Sequence, residues 1–209
     1  MAKVKFGLSN LHLFKLTETT DTETGAVTSS YGSPVSFPGA VELTLSVESD
    51  EPDPFYADDS VYYQPAAMSK GYSGTLTVAM LPAGIRTAFL NFIKDQDDAI
   101  IEVNATERKY FAMTFENQTD EQPIKKVFYK CSFGLPEVSA ATIEDSKTPA
   151  TEDIPLTVIP TAEKFTYTDG AGNEVTTSVV SGMADSSSDA SVYSNWHSAP
   201  HMPNFDSES

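Results

Sequence analysis

The chain of 209 residues contains one cysteine, Cys131, so an intrachain disulfide is excluded and an oxidising compartment is not implied. Basic residues are also scarce, since 13 Lys and Arg stand against 30 Asp and Glu and leave a formal net charge of −17. Tight binding to nucleic acid needs Lys and Arg to replace the counterions on phosphates. The composition therefore argues against a nucleic-acid binder, and for the same reason against a protein that binds anionic lipid.

Long hydrophobic runs are missing as well. The N-terminal stretch MAKVKFGLSNLHLFKL lacks an apolar region followed by a small-residue cleavage site, which predicts that it is not a signal peptide. No apolar run approaches the roughly 18 residues of a membrane span, so we expect no membrane anchor. We expect a protein made in a cytosol that stays in solution as one domain with appendages.

Catalytic and cofactor motifs are absent from the sequence. It contains no glycine-rich phosphate loop, no G-x-S-x-G elbow and no C-x-x-C pair. Cys131 falls on the apolar side of a predicted strand, which indicates a core residue. We expect no enzyme activity, no metal and no cofactor.

Several stretches alternate apolar and polar residues, the pattern of strands in an antiparallel sheet with one buried and one wet face. Two further stretches, VKFGLSNLHLFKL and EDIPLTVIP, also predict strands. In KVFYKCSF the pattern places Val127, Tyr129, Cys131 and Phe133 on the buried face. The other alternating stretches are VELTLSV, SGTLTVAM and KYFAMTFE.

One segment has helical periodicity. In LPAGIRTAFLNFIKDQ, apolar residues form a single stripe that predicts a helix over about residues 82–95, packed against a sheet. The stripe consists of Ile85, Ala88, Phe89, Phe92 and Ile93.

We divide the chain into a β domain of residues 1–160 and a C-terminal extension of residues 161–209. The extension begins with a predicted hairpin at about residues 164–180, with its turn at Asp169 to Asn173. An acidic, serine-rich tail follows from Ser181, without a basic residue or a clear period. On its own we expect this tail to be disordered.

The stretch SDEPDPFYADDSVYY offers carboxylates at close spacing, which invites a metal or catalytic site. Two prolines and the lack of a glycine at the turn argue against a calcium loop. A hydrolase would use Asp53, Asp58 and Asp59, but neighbouring residues of a strand point to opposite faces and rarely converge on one substrate. A zinc site at His197 and His201 is disfavoured, because their segment holds prolines and no helical stripe.

The same stretch, with its surroundings, resembles the major tail protein (tail tube protein) family of long-tailed phages that infect Gram-positive bacteria. The resemblance covers residues 2 to about 160 and lies in the order of its motifs. These are VKFGLSNLHLFKLTE, EPDPFYADDSVYYQ, SGTLTVAMLP, FYKCSFGLPEVSAATIEDSK and TEDIPLTVIP.

The resemblance implies an antiparallel β-sandwich or barrel with one flanking helix, long inter-subunit loops and a C-terminal extension. It implies hexameric rings stacked into the hollow tail tube of a virion, assembled in the host bacterial cytoplasm. Its partners would be copies of itself, the tape measure protein, the tail terminator and distal tail proteins. Double-stranded DNA would pass through without specific binding, and an acidic wall would keep the duplex centred.

On this reading we predict two sets of site residues. The subunit-interface candidates are Pro54, Phe55, Tyr56, Asp58, Asp59, Arg86, Arg108 and Lys109, with the aromatics as anchors and the aspartates facing a neighbour's basic residues. The lumen-facing candidates are Glu42, Thr44, Thr75, Thr77 and Glu116, all on polar faces of predicted strands.

A non-catalytic carbohydrate-binding or adhesin β-sandwich is the alternative. It predicts an export signal and an exposed cluster of aromatic residues for stacking on sugars. The first is missing from the sequence, and the aromatic residues mostly alternate into the predicted core.

Overall fold

The structure is a computed structural model that describes residues 4–50, 53–57, 59–64, 68–104, 107–138 and 150–205. The described residues form fifteen strands and two helices. In chain order these are β1 Lys5–Thr20, β2 Val27–Tyr31, β3 Val35–Ser36, β4 Ala40–Asp50, β5 Phe55–Ala57, β6 Ser60–Tyr63, β7 Met68–Val78, α1 Ala83–Phe89, β8 Phe92–Lys94, β9 Ile100–Glu102, β10 Phe111–Thr119, β11 Ile124–Phe133, β12 Glu152–Val158, β13 Lys164–Thr168, β14 Glu174–Ser178, β15 Ser181–Ala184 and α2 Ala190–Asn195.

Nine strands form one antiparallel sheet in the order β2-β1-β10-β11-β12-β7-β4, with β3 also paired to β1 and β15 also paired to β11. Three separate hairpins, β5–β6, β8–β9 and β13–β14, complete the strands. The prediction of a mainly β, antiparallel protein is confirmed.

The main core lies against one face of this sheet, which curls. Leu11 and Leu13 of β1 pack in the same core as Leu43 and Leu45 of β4, although the two strands lie far apart in the sheet order. The alternation predicted for β4 supplies Leu43 and Leu45, because every second side chain of a strand points to the same side.

Glycines allow the close approach of neighbouring strands along β7. A Cβ at Gly74 would overlap the carbonyl oxygen of Thr44 on β4, and one at Gly71 would overlap that of Val158 on β12. Gly71 also has φ +123°, a conformation that favours glycine. Both sides of this central strand therefore depend on the missing side chain.

The prediction of one wet face is wrong for β10 and β11. Between the pairs Phe111–Cys131 and Met113–Phe128 the register shifts by one residue, as in a β-bulge. The shift turns Phe128 into the main core and Val127 and Tyr129 to the opposite side, where they join a second buried cluster. Both faces of these strands are covered.

The cover is residues 181–205, which we call the C-terminal segment. Its strand β15 pairs with Lys125–Phe128 of β11, and Trp196 is 3% exposed beside Val127 and Tyr129. Helix α2 begins after Asp189, whose side chain accepts hydrogen bonds from the backbone N–H groups of Ser191 and Val192. The tail, expected to be disordered on its own, is ordered by packing against β11 of its own chain.

The hairpin expected at about residues 164–180 corresponds to β13 and β14, which pair antiparallel around a turn at Asp169 to Asn173. The division of the chain at residue 160 stays a prediction. The polar connector between β11 and β12 falls largely on residues 139–149, outside the described residues.

The prediction of a single helix over about residues 82–95 is wrong, because the helix is shorter and the described residues contain a second one. Helix α1 ends at Phe89, with Ile85 and Phe89 buried and Ala88 exposed, and Phe92 and Ile93 belong to β8. The Lys109 ammonium donates to the carbonyl oxygens of Thr87, at 2.8 Å, and Leu90, at 2.6 Å. These contacts cap the helix end where continuation would need the same carbonyls.

The second helix, α2, is not predicted by the sequence pattern, because it lacks an apolar stripe. Among the described residues, neither helix has the length and apolar character that crossing a membrane requires.

Candidate functional site

The polar side of β4, β7 and β12 forms a continuous acidic surface. Strand register places Glu42, Thr77 and Asp153 in one row across the three strands. Facing partners in an antiparallel sheet project to the same side. We call this surface the acidic face and define it by Glu42, Thr44, Ser46, Glu48, Ser73, Thr75, Thr77, Asp153 and Thr157.

The acidic face carries three carboxylates among hydroxyl side chains, and none of its nine residues is Lys or Arg. Glu42, Glu48 and Asp153 are exposed. Hydroxyl groups hold two of them in place: the Ser73 Oγ donates to Glu48 at 2.5 Å and the Thr77 Oγ1 to Asp153 at 2.6 Å. Negative charge is thus presented to solvent in a fixed arrangement.

Four of the five lumen-facing candidates lie on the acidic face. Glu42 pairs with Thr77 and Thr44 with Thr75, so these residues form two adjacent rows. Glu116 lies elsewhere: its side chain is 13% exposed and bonded to His197 of the C-terminal segment.

Sequence reasoning missed two carboxylates of the acidic face. Glu48 continues the alternation of VELTLSV, and Asp153 occupies the polar phase of EDIPLTV. Extending each alternating pattern to the end of its strand would have found both.

Strands β5 and β6 form a second notable surface, which we call the aromatic hairpin (residues 55–63). Phe55, Tyr56, Tyr62 and Tyr63 are 62%, 63%, 75% and 63% exposed. The Phe55 and Tyr62 rings meet edge to face at 6.5 Å. Such a group of exposed aromatic residues on a single chain is typical of a binding surface.

Two further subunit-interface candidates, Pro54 and Asp59, lie in this hairpin or directly before it. Asp59 has φ +58° in the turn before Ser60, and Pro54 is half-buried just before β5. Asp58 lies outside the described residues. The expectation that the aromatic residues mostly alternate into the core does not hold for this hairpin.

Two of the three basic interface candidates are engaged within the chain. Arg86 forms an ion pair with Glu152 at 2.6 Å, and Lys109 caps helix α1. Arg108 is exposed. Among these three side chains, that of Arg108 is therefore the exposed one.

The two histidines suspected of binding zinc do not converge on one site. His197 bonds to Thr114 and Glu116, while His201 stacks on Trp196 with ring centroids 5.8 Å apart. Within the described ranges, no group of three or more His, Cys, Asp or Glu residues is arranged to hold a metal ion. Cys131 is fully buried, and burial raises the pKa of its thiol, as expected of a core residue.

An open groove of about 690 Å³ lies between β1, β4 and β15. Polar and apolar atoms contribute about equally to its walls, and its charged lining residues are Glu42 and Lys126. The exposed side chains of Phe6, Val41 and Met183 stand on its walls.

Comparison of the chain with protein-family models, with curated proteins and with solved structures found no match.

Proposed function

We propose that this chain is a structural tail tube protein of the long-tailed phage type, which forms hexameric rings that stack into a hollow conduit for double-stranded DNA. The observation that carries the proposal is the acidic face, a three-stranded surface of carboxylates and hydroxyls. It is what the wall of a DNA conduit needs, because a wall that bound phosphates would hold the duplex in every ring.

The charge of the whole chain supports the same reading. A net charge of −17 gives a field that repels polyanions, and the acidic face adds a local surface on which none of the defining residues is basic. The bland alternative, that acidity serves solubility alone, does not explain why Glu42, Glu48 and Asp153 share one side of neighbouring strands.

The position of β4 supports assembly. This strand of 11 residues stands at the end of the sheet order, and its outer edge pairs with no other strand among the described residues. Natural proteins rarely leave a long edge strand uncovered, since it is a template for pairing with another chain. In a closed ring, sheets of neighbouring subunits would cover each such edge.

The aromatic hairpin supplies anchors for a subunit interface. A two-stranded hairpin is marginally stable alone, and its exposed rings gain most when a neighbour buries them. In this proposal the tube is non-catalytic and lies in the virion tail. Its further partners are the tape measure protein, the tail terminator and distal tail proteins.

Reversing charge on the acidic face tests the conduit role. Tubes or rings of the Glu42→Lys/Asp153→Lys double variant are expected to retain double-stranded DNA, whereas unaltered assemblies do not. Retention should weaken steeply as salt rises, because it comes from counterion release. An electrophoretic mobility shift at low and high salt measures it.

The matched control is Asp97→Lys/Glu174→Lys, which makes the same charge change at two exposed positions outside the acidic face. Equal DNA retention by both double variants would show that only net charge matters. It would remove the acidic face as the argument for a conduit.

A carbohydrate-binding module is the second candidate, and the aromatic hairpin favours it. Exposed Tyr56, Tyr62 and Tyr63 are residues suited to stacking on sugar rings. Binding of the monomeric protein to cell-wall glycans, lost in Tyr62→Ala, would favour this candidate. Assembly that fails in the same variant without any glycan binding would favour the tube.

A further inference from the structure

A polar cluster joins the C-terminal segment to the main sheet at His197. The Nδ1 atom of His197 lies 2.9 Å from the Thr114 Oγ1, and its Nε2 atom lies 3.0 Å from the Glu116 Oε1. A carboxylate only accepts hydrogen bonds, so the proton of the neutral ring sits on Nε2 and is donated to Glu116. The Thr114 hydroxyl then donates to Nδ1, and both contacts are satisfied.

A second proton on this ring has no prepared place. It would enter at Nδ1, where Thr114, which is 0% exposed, would have to turn its hydroxyl from donor to acceptor. The hydroxyl hydrogen would then lose the acceptor that it has in the neutral arrangement. A buried polar group without a partner is costly, so protonation weakens this contact.

The surrounding charges act in the same direction. Glu116 also accepts a hydrogen bond from Asn10 Nδ2 at 3.3 Å and forms an ion pair with Lys125 Nζ at 3.5 Å. The negative charge of this carboxylate is therefore already balanced by one ammonium group. The ring of His12 on β1 lies 5.2 Å from that of His197. A proton on His197 would therefore add positive charge to a site whose charges are already balanced while the ring is neutral.

The other groups facing this cluster come from the C-terminal segment itself. Lys125 donates to the Tyr193 carbonyl oxygen at 2.9 Å and lies 4.2 Å from the centre of its ring. Burial raises the pKa of Tyr193, and the negative charges of Glu116 and Asp185 raise it further. Nothing in this set offers the protonated His197 a second carboxylate among the described residues.

We propose that His197 makes the C-terminal segment an acid-sensitive latch, so that mild acid opens residues 189–205 away from β10 and β11 while the main sheet stays folded. Opening uncovers Val127 and Tyr129, an apolar surface that the closed latch hides. The latch is independent of the proposed function, since it depends only on contacts within one chain.

The direction of the pH effect follows from linkage. Burial lowers the pKa of His197, and Glu116 offsets this only in part. The open segment therefore binds the proton more readily than the closed one, so closure is favoured above the ordinary His pKa and is weakened as pH falls through it.

Hydrogen–deuterium exchange of the full chain at about pH 7.5 and about pH 5.5, on either side of the ordinary His pKa of about 6.5, tests the latch. After correction for intrinsic exchange, the protection factors of peptides within residues 189–205 are expected to fall at least about threefold between the two pH values. The upper limit is a change of about tenfold per pH unit, because one proton is bound. Peptides of β7 should keep theirs.

His197→Gln should abolish this loss, and His201→Gln should retain it, because His201 stacks on Trp196 and takes no part in the contacts of His197 with Thr114 and Glu116. The emission wavelength of Trp196, the single tryptophan, shows at about pH 7.5 whether each variant keeps the latch closed. If tryptophan emission shows that the His197→Gln chain does not keep the latch closed, His12→Gln is the deciding variant. In that variant we expect a smaller loss of protection at about pH 5.5 than in the unaltered chain. A loss of equal size in His12→Gln, or one that persists in a closed His197→Gln chain, overturns the proposal.

Discussion

Replacing Trp196 with alanine is expected to lower the free energy of unfolding by about 3–5 kcal/mol. The side chain is 3% exposed and packs with Val127, Tyr129 and Ala184, so its removal leaves a cavity between the C-terminal segment and the sheet. For a domain of this size the melting temperature should fall by about 2–4 °C per kcal/mol. Thermal unfolding followed by circular dichroism measures it without relying on tryptophan emission.

Phe205→Ala is the matched control for this prediction. Phe205 also belongs to the C-terminal segment, but it is 44% exposed and touches only the ring of Tyr167 among aromatic partners described. A change within about 0.5 kcal/mol is expected, as for most surface positions. If the Trp196→Ala and Phe205→Ala chains had the same melting temperature, Trp196 could not be packed between the C-terminal segment and the sheet.

This packing also changes how the extension should be tested. Ending the chain after Pro160 removes β15 and Trp196 and exposes the second face of β10 and β11. If such a chain failed to assemble, the reason would be that it misfolds. The result would not show that the extension contacts a neighbouring ring. Single substitutions on the exposed side of the extension are the cleaner probe.

The double variant Phe55→Ala/Tyr62→Ala is expected to abolish ring and tube assembly while the monomer stays folded. Each aromatic anchor of an interface is commonly worth about 2 kcal/mol or more, and every contact around a ring would lose both. The two side chains are 62% and 75% exposed, so their removal should leave the melting temperature of the monomer almost unchanged. Size-exclusion chromatography with light scattering and negative-stain microscopy measure assembly.

Phe205→Ala again serves as the control, because it removes an exposed ring outside the aromatic hairpin. Its assembly should be normal. Tubes of ordinary length and yield from the hairpin double variant would show that the aromatic hairpin is not part of the interface, and would leave carbohydrate binding as the better reading of its rings.

The strands that bear the acidic face and the strands β10 and β11 could all be predicted from the sequence, but the burial of both sides of β10 and β11 could not. In β4 and β7 the alternation holds in the middle of each strand, where Leu43, Leu45, Leu76 and Val78 pack in the core and the other side is wet. Val41 and Val47 of β4 are 55% and 59% exposed.

In β10 and β11 the same rule placed Ala112 and Phe128 on the wet side, whereas Ala112 is 0% and Phe128 is 7% exposed. The register shift turns Phe128 into the main core, and the C-terminal segment covers Val127 and Tyr129 on the opposite side of β11.

The contacts that defeated local reasoning are long in sequence. Glu116 was expected to face a lumen, yet its partner His197 lies 81 residues further along the chain. Helix α1 was expected to follow its apolar stripe to residue 95, yet Lys109 caps it at Phe89. Periodicity describes one element at a time. In both cases a contact with a side chain from a distant part of the chain determines the observed structure.

Negative-stain microscopy of the purified protein tests the central claim most directly. It is best performed at high protein concentration, both alone and with a distal tail protein as initiator. The account predicts hexameric rings and hollow stacked tubes in at least one of the two samples. A protein that stays strictly monomeric in both, with its fold intact by circular dichroism, would contradict the assignment as a tail tube protein.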